Sequence, residues 1–191
     1  PLKASYAIAC ILADTLYMIS RKDRRAVLAN LRVIAGRVDD RALDEMAREV
    51  FRNFAKYLVD FFRFEKVDEE YVKKLVRIEG LENVDMARAK GKGVIVLSAH
   101  LGNWELGGLV FSLCRHPVSA VVLTHKNKKI NDFFRSQRGR CGMIPLETGM
   151  ALRSCYAALK SGGLLAILGD RDFTHNGFHI DFFGRPTMIP K

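Results

Sequence analysis

The sequence predicts an α/β fold, with a helical N-terminal region followed by a mostly parallel sheet flanked by helices. Two observations carry that class. Across residues 40–64 apolar side chains recur at the three-and-four spacing of one helical face. After Gly80 the rhythm changes to short continuous apolar runs at 94–99, 118–123, 143–146 and 164–168, separated by helix-length stretches. Runs that do not alternate indicate strands buried on both faces of a parallel sheet.

The elements follow in order. Residues 4–19 form an apolar helix that carries Asp14 and falls short of the ~20 residues that cross a bilayer. The cluster Arg21, Lys22, Arg24 and Arg25 comes next, an order that suits a helix lying in a bilayer interface with its cations among the headgroups. A core helix ending in a solvated basic turn has the same pattern. In the helix over 40–64, Asp39 or Asp40 can cap the start by accepting from open backbone donors. Its stripe of Phe51, Phe54, Tyr57, Phe61 and Phe62 reads as core.

A chain of 191 residues suits one domain with a sizeable core. The 49% hydrophobic and 27% charged shares are those of a folded domain, which excludes disordered and collagenous classes. The 31 Lys and Arg against 21 Asp and Glu leave +10, which draws the chain to polyanions, nucleic acid or anionic lipid alike. Cys10, Cys114, Cys141 and Cys155 are widely spaced, so they read as buried thiols of a reducing compartment. Pro1 at one end and Lys191 directly after an apolar stretch at the other lead us to expect an incomplete protein.

The chemistry concentrates after the first strand, in His100, Leu101, Gly102, Asn103, Trp104 and Glu105. Ligands of open α/β sheets bind beyond the carboxyl ends of the strands, where this block falls. On one continuous helix His100 and Glu105 would stand about 140° apart. The motif therefore straddles a turn, with Gly102 permitting the bend, so that imidazole and carboxylate can meet. Such a carboxylate fixes the tautomer and stabilises the imidazolium formed on proton uptake. A base of this kind activates a substrate hydroxyl or water directly; Ser98 as nucleophile lacks the GxSxG elbow.

Three blocks, SAHLGNWE, KNKKINDFFRSQRGRCG and GDRDFTHNGFHIDFFGRP, occur in an order and spacing that resemble the bacterial lipid A biosynthesis acyltransferase family, over residues 23–191. The resemblance implies a single acyltransferase domain over 1–191, with 1–79 helical and membrane-proximal and 80–191 the catalytic α/β part. It implies His100 as general base and Glu105 as its orienting partner, with Gly102 and Asn103 beside them at the substrate. It also puts Arg138 on an anionic substrate group, with Arg135 and Arg140 as neighbouring alternatives. In the third block Asp170-Arg171-Asp172 replaces an acid-Gln-acid pattern and is more similar to relatives that acylate mannosylated phosphatidylinositol. Arg171 and Asp172 are then substrate-binding.

The reaction implied is transfer of a fatty acyl group from an acyl carrier protein or coenzyme A thioester to a hydroxyl of a membrane glycolipid or lysophospholipid. The expected setting is the cytoplasmic face of a bacterial inner membrane. No metal or other cofactor is expected, and backbone donors near Gly102 or Gly169 can form an oxyanion hole. Rival readings attach to the same residues. Asp170-Arg171-Asp172 has the DxD spacing of metal-dependent glycosyltransferases, and His175 with His179 can be drawn as a metal pair, although Asn176 and Gly177 argue for a turn there. The basic run from Lys126 to Arg140 suits a nucleic-acid module, yet no recognition platform accompanies it, and no nucleic acid is expected. A relative that kept the fold and lost turnover is the other non-catalytic reading. His116 and His125 read as ordinary surface or loop residues.

Overall fold

The apolar runs become four parallel strands: β1 (Val94–Ser98), β2 (Val118–Val122), β3 (Ile144–Glu147) and β4 (Leu164–Leu168), each within a residue of its expected bounds. The computed structural model describes residues 1–114, 116–140, 142–147, 151–172 and 176–191. Cys141 and His175 lie outside the described residues. Contacts group residues 1–60 with 172–191 in one compact unit and 61–171 in another.

In the first unit, α1 (Leu2–Ile19), α2 (Arg21–Ile34) and α3 (Asp40–Phe62) follow one another, and α3 runs on into the second unit, where a short 3₁₀ turn at Phe64–Lys66 comes after it. Asp39 is the cap of α3, accepting from Ala42 N–H at 2.7 Å. Three side-chain pairs tie α1 to α3: Tyr6 with Asp60, Asp14 with Arg52, and Tyr17 with Asp44. The partners descend along α3 as α1 ascends, so the two helices are antiparallel. Ala9, Ala13 and Tyr17 bury the intervening face, and Tyr17 joins Leu31, Leu43 and Ala47 in a core. The other face of α1 leaves Ile8, Ile11, Leu12, Leu16 and Ile19 exposed. By length and composition α1 could cross a membrane, but Asp14, gripped by Arg52 at 2.7 Å, sits on its packed side.

The same unit contains a hairpin of β5 (Phe178–Phe182) and β6 (Arg185–Ile189). Its two-residue turn puts Phe183 and Gly184 at positive φ, 53° and 70°, which is the backbone of a primed hairpin turn.

In the second unit the strands order β1-β4-β2-β3, all parallel. Before and between them come α4 (Glu69–Leu75), α5 (Leu81–Arg88), α6 (Trp104–Leu113), α7 (Lys128–Arg140) and α8 (Ala151–Lys160). The core gathers Phe61, Phe64 and Leu109, with Phe133 and Phe134 of α7 packed against them. Burial on both faces, expected of every strand, holds at Leu164 and Leu165 but fails at β1, where Ile95 and Leu97 are 56% and 72% exposed. Ile95 and Leu97 share one face of β1 while Val94 and Val96 on the other are half-buried, so among the described residues one face of this edge strand is left uncovered. Cys10, Cys114 and Cys155 are half-buried free thiols rather than fully buried ones. His116, expected on the surface or in a loop, lies in the loop before β2 but is buried, and takes Arg88 on Nδ1 at 3.0 Å.

Candidate active site

Because the four strands are parallel, all their carboxyl ends lie on one edge of the sheet. His100 follows β1 by two residues and Asp170 follows β4 by two, and β1 and β4 are neighbours with Ser98 opposite Leu168. Topology alone therefore brings together two side chains 70 residues apart. His100 Nδ1 lies 2.8 Å from Asp170 Oδ1.

Burial pushes the Asp170 carboxyl up, but hydrogen bonds from the His100 side chain and backbone and from its own backbone N–H outweigh it and hold it below the usual carboxylate range. An ionised carboxylate only accepts, so Nδ1 carries the proton and donates. The other ring nitrogen, Nε2, is then the basic one. Among the described residues it makes no hydrogen bond, and Trp104 packs edge-on against the ring at 4.8 Å between centroids. The arrangement suits a general base: one nitrogen fixed by a carboxylate, the other available to a substrate proton.

Glu105 has another partner. It sits in the first turn of α6, is 6% exposed, and receives the Arg138 guanidinium: Nε donates to its two oxygens at 3.2 and 3.0 Å, and Nη2 donates to Oε1. Arg138 is 8% exposed and lies over the rings of Phe61 and Phe134. Glu105 was expected to orient His100 and Arg138 to meet a substrate anion; in the structure each satisfies the other. A carboxylate and a guanidinium buried together neutralise one another, whereas either one buried alone carries a heavy desolvation cost.

Gly102 provides the bend at φ 62°. Asn103 uses its side-chain oxygen to cap α6, accepting from Leu106 N–H at 3.0 Å. Gly169 N–H donates to Ser98 O at 2.9 Å, so it is committed to the sheet rather than open to an oxyanion. Ser98 makes no side-chain bond to His100 among the described residues. Arg171 is exposed directly after Asp170. In the other unit, Asp172 accepts from Gly177 N–H at 2.9 Å, and His179 is exposed on β5.

Beside Asn103 a cleft of about 400 Å³ opens between the segment preceding α5 and the α6 helix. Its apolar wall comes from Val76, Ile78, Leu81, Leu106, Val110 and Phe111. Arg77, Glu79 and Asn103 share its lining.

The pairing of His100 with Asp170, and the Trp104 ring beside it, were not expected from the sequence. The signal available was Asp170 itself, directly beyond an apolar run; the pairing of the first and fourth strands was not visible.

Comparison with known proteins agrees with these blocks. A phosphatidylinositol mannoside acyltransferase of Mycobacterium tuberculosis is 28% identical over 148 residues, covering 72% of this chain and 46% of the relative. One from Mycolicibacterium smegmatis is 23% identical over 165 residues, 84% of this chain and 54% of the relative. A lipid A biosynthesis palmitoleoyltransferase of Escherichia coli is 28% identical over 177 residues, 90% of this chain and 57% of the relative. The chain thus spans about half the length of these curated relatives. The profile described as bacterial lipid A biosynthesis acyltransferase matches residues 1–191, and the chain belongs to that family.

Proposed function

We infer that this chain is the catalytic part of an enzyme that moves a fatty acyl group from an acyl carrier protein or coenzyme A thioester to a hydroxyl of a membrane glycolipid. The observation that carries the reading is the His100–Asp170 pair on the carboxyl edge of the sheet, with Nε2 open to a substrate.

The acceptor hydroxyl gives its proton to His100 Nε2 as its oxygen attacks the thioester carbonyl. A C–O bond forms, and the carbonyl oxygen becomes an oxyanion. Asp170 balances the charge of the imidazolium without taking its proton. When the intermediate collapses the C–S bond breaks, the departing sulfur takes the proton from Nε2 and leaves as the thiol, and His100 returns to its neutral form. Base assistance of this kind supplies roughly 100-fold to 10,000-fold; positioning and oxyanion stabilisation supply the rest. The backbone N–H of Gly102, which carries no hydrogen bond among the described residues, is the donor we assign to the oxyanion. The cleft beside Asn103 takes the acyl chain. Glu105 and Arg138 act at one remove, fixing the start of α6 and so the loop that presents His100.

The relatives' names point to lipid A biosynthesis and to phosphatidylinositol mannoside, and a sugar hydroxyl of either kind of glycolipid fits a base of this type. The exposed stripe of α1, followed by four cations, supports work at a membrane surface, on the cytoplasmic face of the inner membrane where thioester donors are made.

The test is acyl transfer from radiolabelled acyl carrier protein and coenzyme A thioesters into membrane lipid extract, using wild type and His100→Ala. Labelled lipid is expected from the wild type alone. No label from either donor, or equal label from the variant, removes the proposed chemistry.

A further inference from the structure

The carboxyl edge that carries His100 and Asp170 continues across two more strands. At strand spacings of about 4.8 Å, the four ends span about 14 Å, wider than one sugar ring. On the far half a second polar cluster stands apart from the catalytic pair. His125 follows β2 by three residues, Glu147 ends β3, and Asn131 of α7 links them. Asn131 Oδ1 accepts from His125 N–H at 3.0 Å, and its Nδ2 lies 3.4 Å from Glu147 Oε1.

The cluster has capacity left over. Among the described residues the Glu147 carboxylate pairs with no cation, and neither ring nitrogen of His125 is hydrogen-bonded. Among the described residues the imidazole packs on the Phe134 ring, 4.6 Å away between centroids. A half-buried carboxylate with an open oxygen next to a positioned imidazole is a recognition pair for vicinal hydroxyls: the carboxylate accepts from both, and the ring donates or accepts. Lys126, Lys128 and Lys129 flank it, exposed and without ion pairs among the described residues. They supply attraction for phosphate, the role that Arg138, buried on Glu105, does not fill.

We propose that His125, Asn131 and Glu147 form a subsite for the polyol head group of the lipid acceptor, which lies along the carboxyl edge with its reacting hydroxyl at His100. The inference rests on the acyltransferase reading for the direction of the head group, but its test is binding and needs no turnover.

Vesicles of phosphatidylcholine carrying a phosphatidylinositol mannoside, or a lipid A precursor, are compared with vesicles carrying phosphatidylglycerol at equal charge, in flotation with the intact protein. Wild type is expected to prefer at least one glycolipid over phosphatidylglycerol, and the arm that shows it names the acceptor class. Glu147→Gln, which keeps the Asn131 contact, and His125→Ala, at an exposed position, are each expected to reduce that preference about tenfold, about 1.4 kcal/mol, without changing binding to phosphatidylglycerol. Melting curves establish that each variant is folded. No wild-type preference, or a preference unchanged in every folded variant, overturns the subsite. If binding behaves as expected and acyl transfer is absent, the subsite stands and the proposed reaction falls.

Discussion

The pair His100 and Asp170 lets one residue's chemistry be separated from its neighbours'. Asp170→Asn keeps the shape and loses the charge, so Nδ1–H remains bonded but the imidazolium formed during transfer loses its counter-charge. The expected loss in kcat is about 100-fold or more, from the lower end of what a positioned base contributes, with KM for the thioester little changed; equal kcat would remove Asp170 from the site. A second readout is acid stability. Since the Asp170 carboxyl is held below its ordinary value in the folded chain, its contribution is complete above the unfolded value of about 3.9 and is lost as pH falls through the lowered folded one. The Asn variant should therefore melt below wild type at pH 7, and the gap should narrow below about pH 4. His100 stood out in the sequence because it falls just beyond a strand's carboxyl end and within one of the three blocks that carry the family resemblance. Its pairing with Asp170 did not. A carboxylate five residues on is the local choice, and the one 70 residues on is brought near only by the β1-β4 pairing, which no periodicity encodes.

Elements were legible wherever burial imposed a period. The strand runs and the long helix α3 lie within two residues of their expected bounds because apolar spacing is what tertiary packing selects. The β5–β6 hairpin escaped for the opposite reason. Its strand residues are mostly exposed, and its turn has Phe183 where the left-handed backbone favours Asn, Asp or Gly. Interior polar pairs escaped as well, since neither α6 nor α7 says by itself that Glu105 and Arg138 face each other. That pair predicts how the two helices respond to substitution. Arg138→Met leaves Glu105 buried and unpaired and should cost about 3–5 kcal/mol in urea unfolding. Adding Glu105→Leu removes the stranded charge, and the double variant should regain most of that loss. Additive losses would mean that the two groups do not depend on one another.

For the chain as a whole, the net charge of +10 was visible at once, and its meaning depends on where the cations and the unpartnered apolar surface fall. Helix α1 packs its Ala9, Ala13 and Tyr17 face inward and keeps Asp14 on Arg52, and its stripe of Ile8, Ile11, Leu12, Leu16 and Ile19 stays uncovered among the described residues. Each such side chain is worth about 1.5–3 kcal/mol when buried, and each of Arg21, Lys22, Arg24 and Arg25 about 1 kcal/mol near an anionic surface. The apolar term is therefore the larger, and salt should weaken binding without abolishing it. Raising ionic strength from about 0.1 to 1 M shortens the screening length from about 10 to 3 Å, which removes most of the cationic share and leaves the stripe. Ile11→Glu with Leu12→Glu removes two anchors and adds two charges repelled by anionic lipid. Its partition onto phosphatidylglycerol vesicles should fall more than 100-fold, measured by flotation at both salt concentrations. Wild type released entirely by salt would show that cations alone hold the protein to the surface, and an unaffected double variant would show that α1 does not face the bilayer.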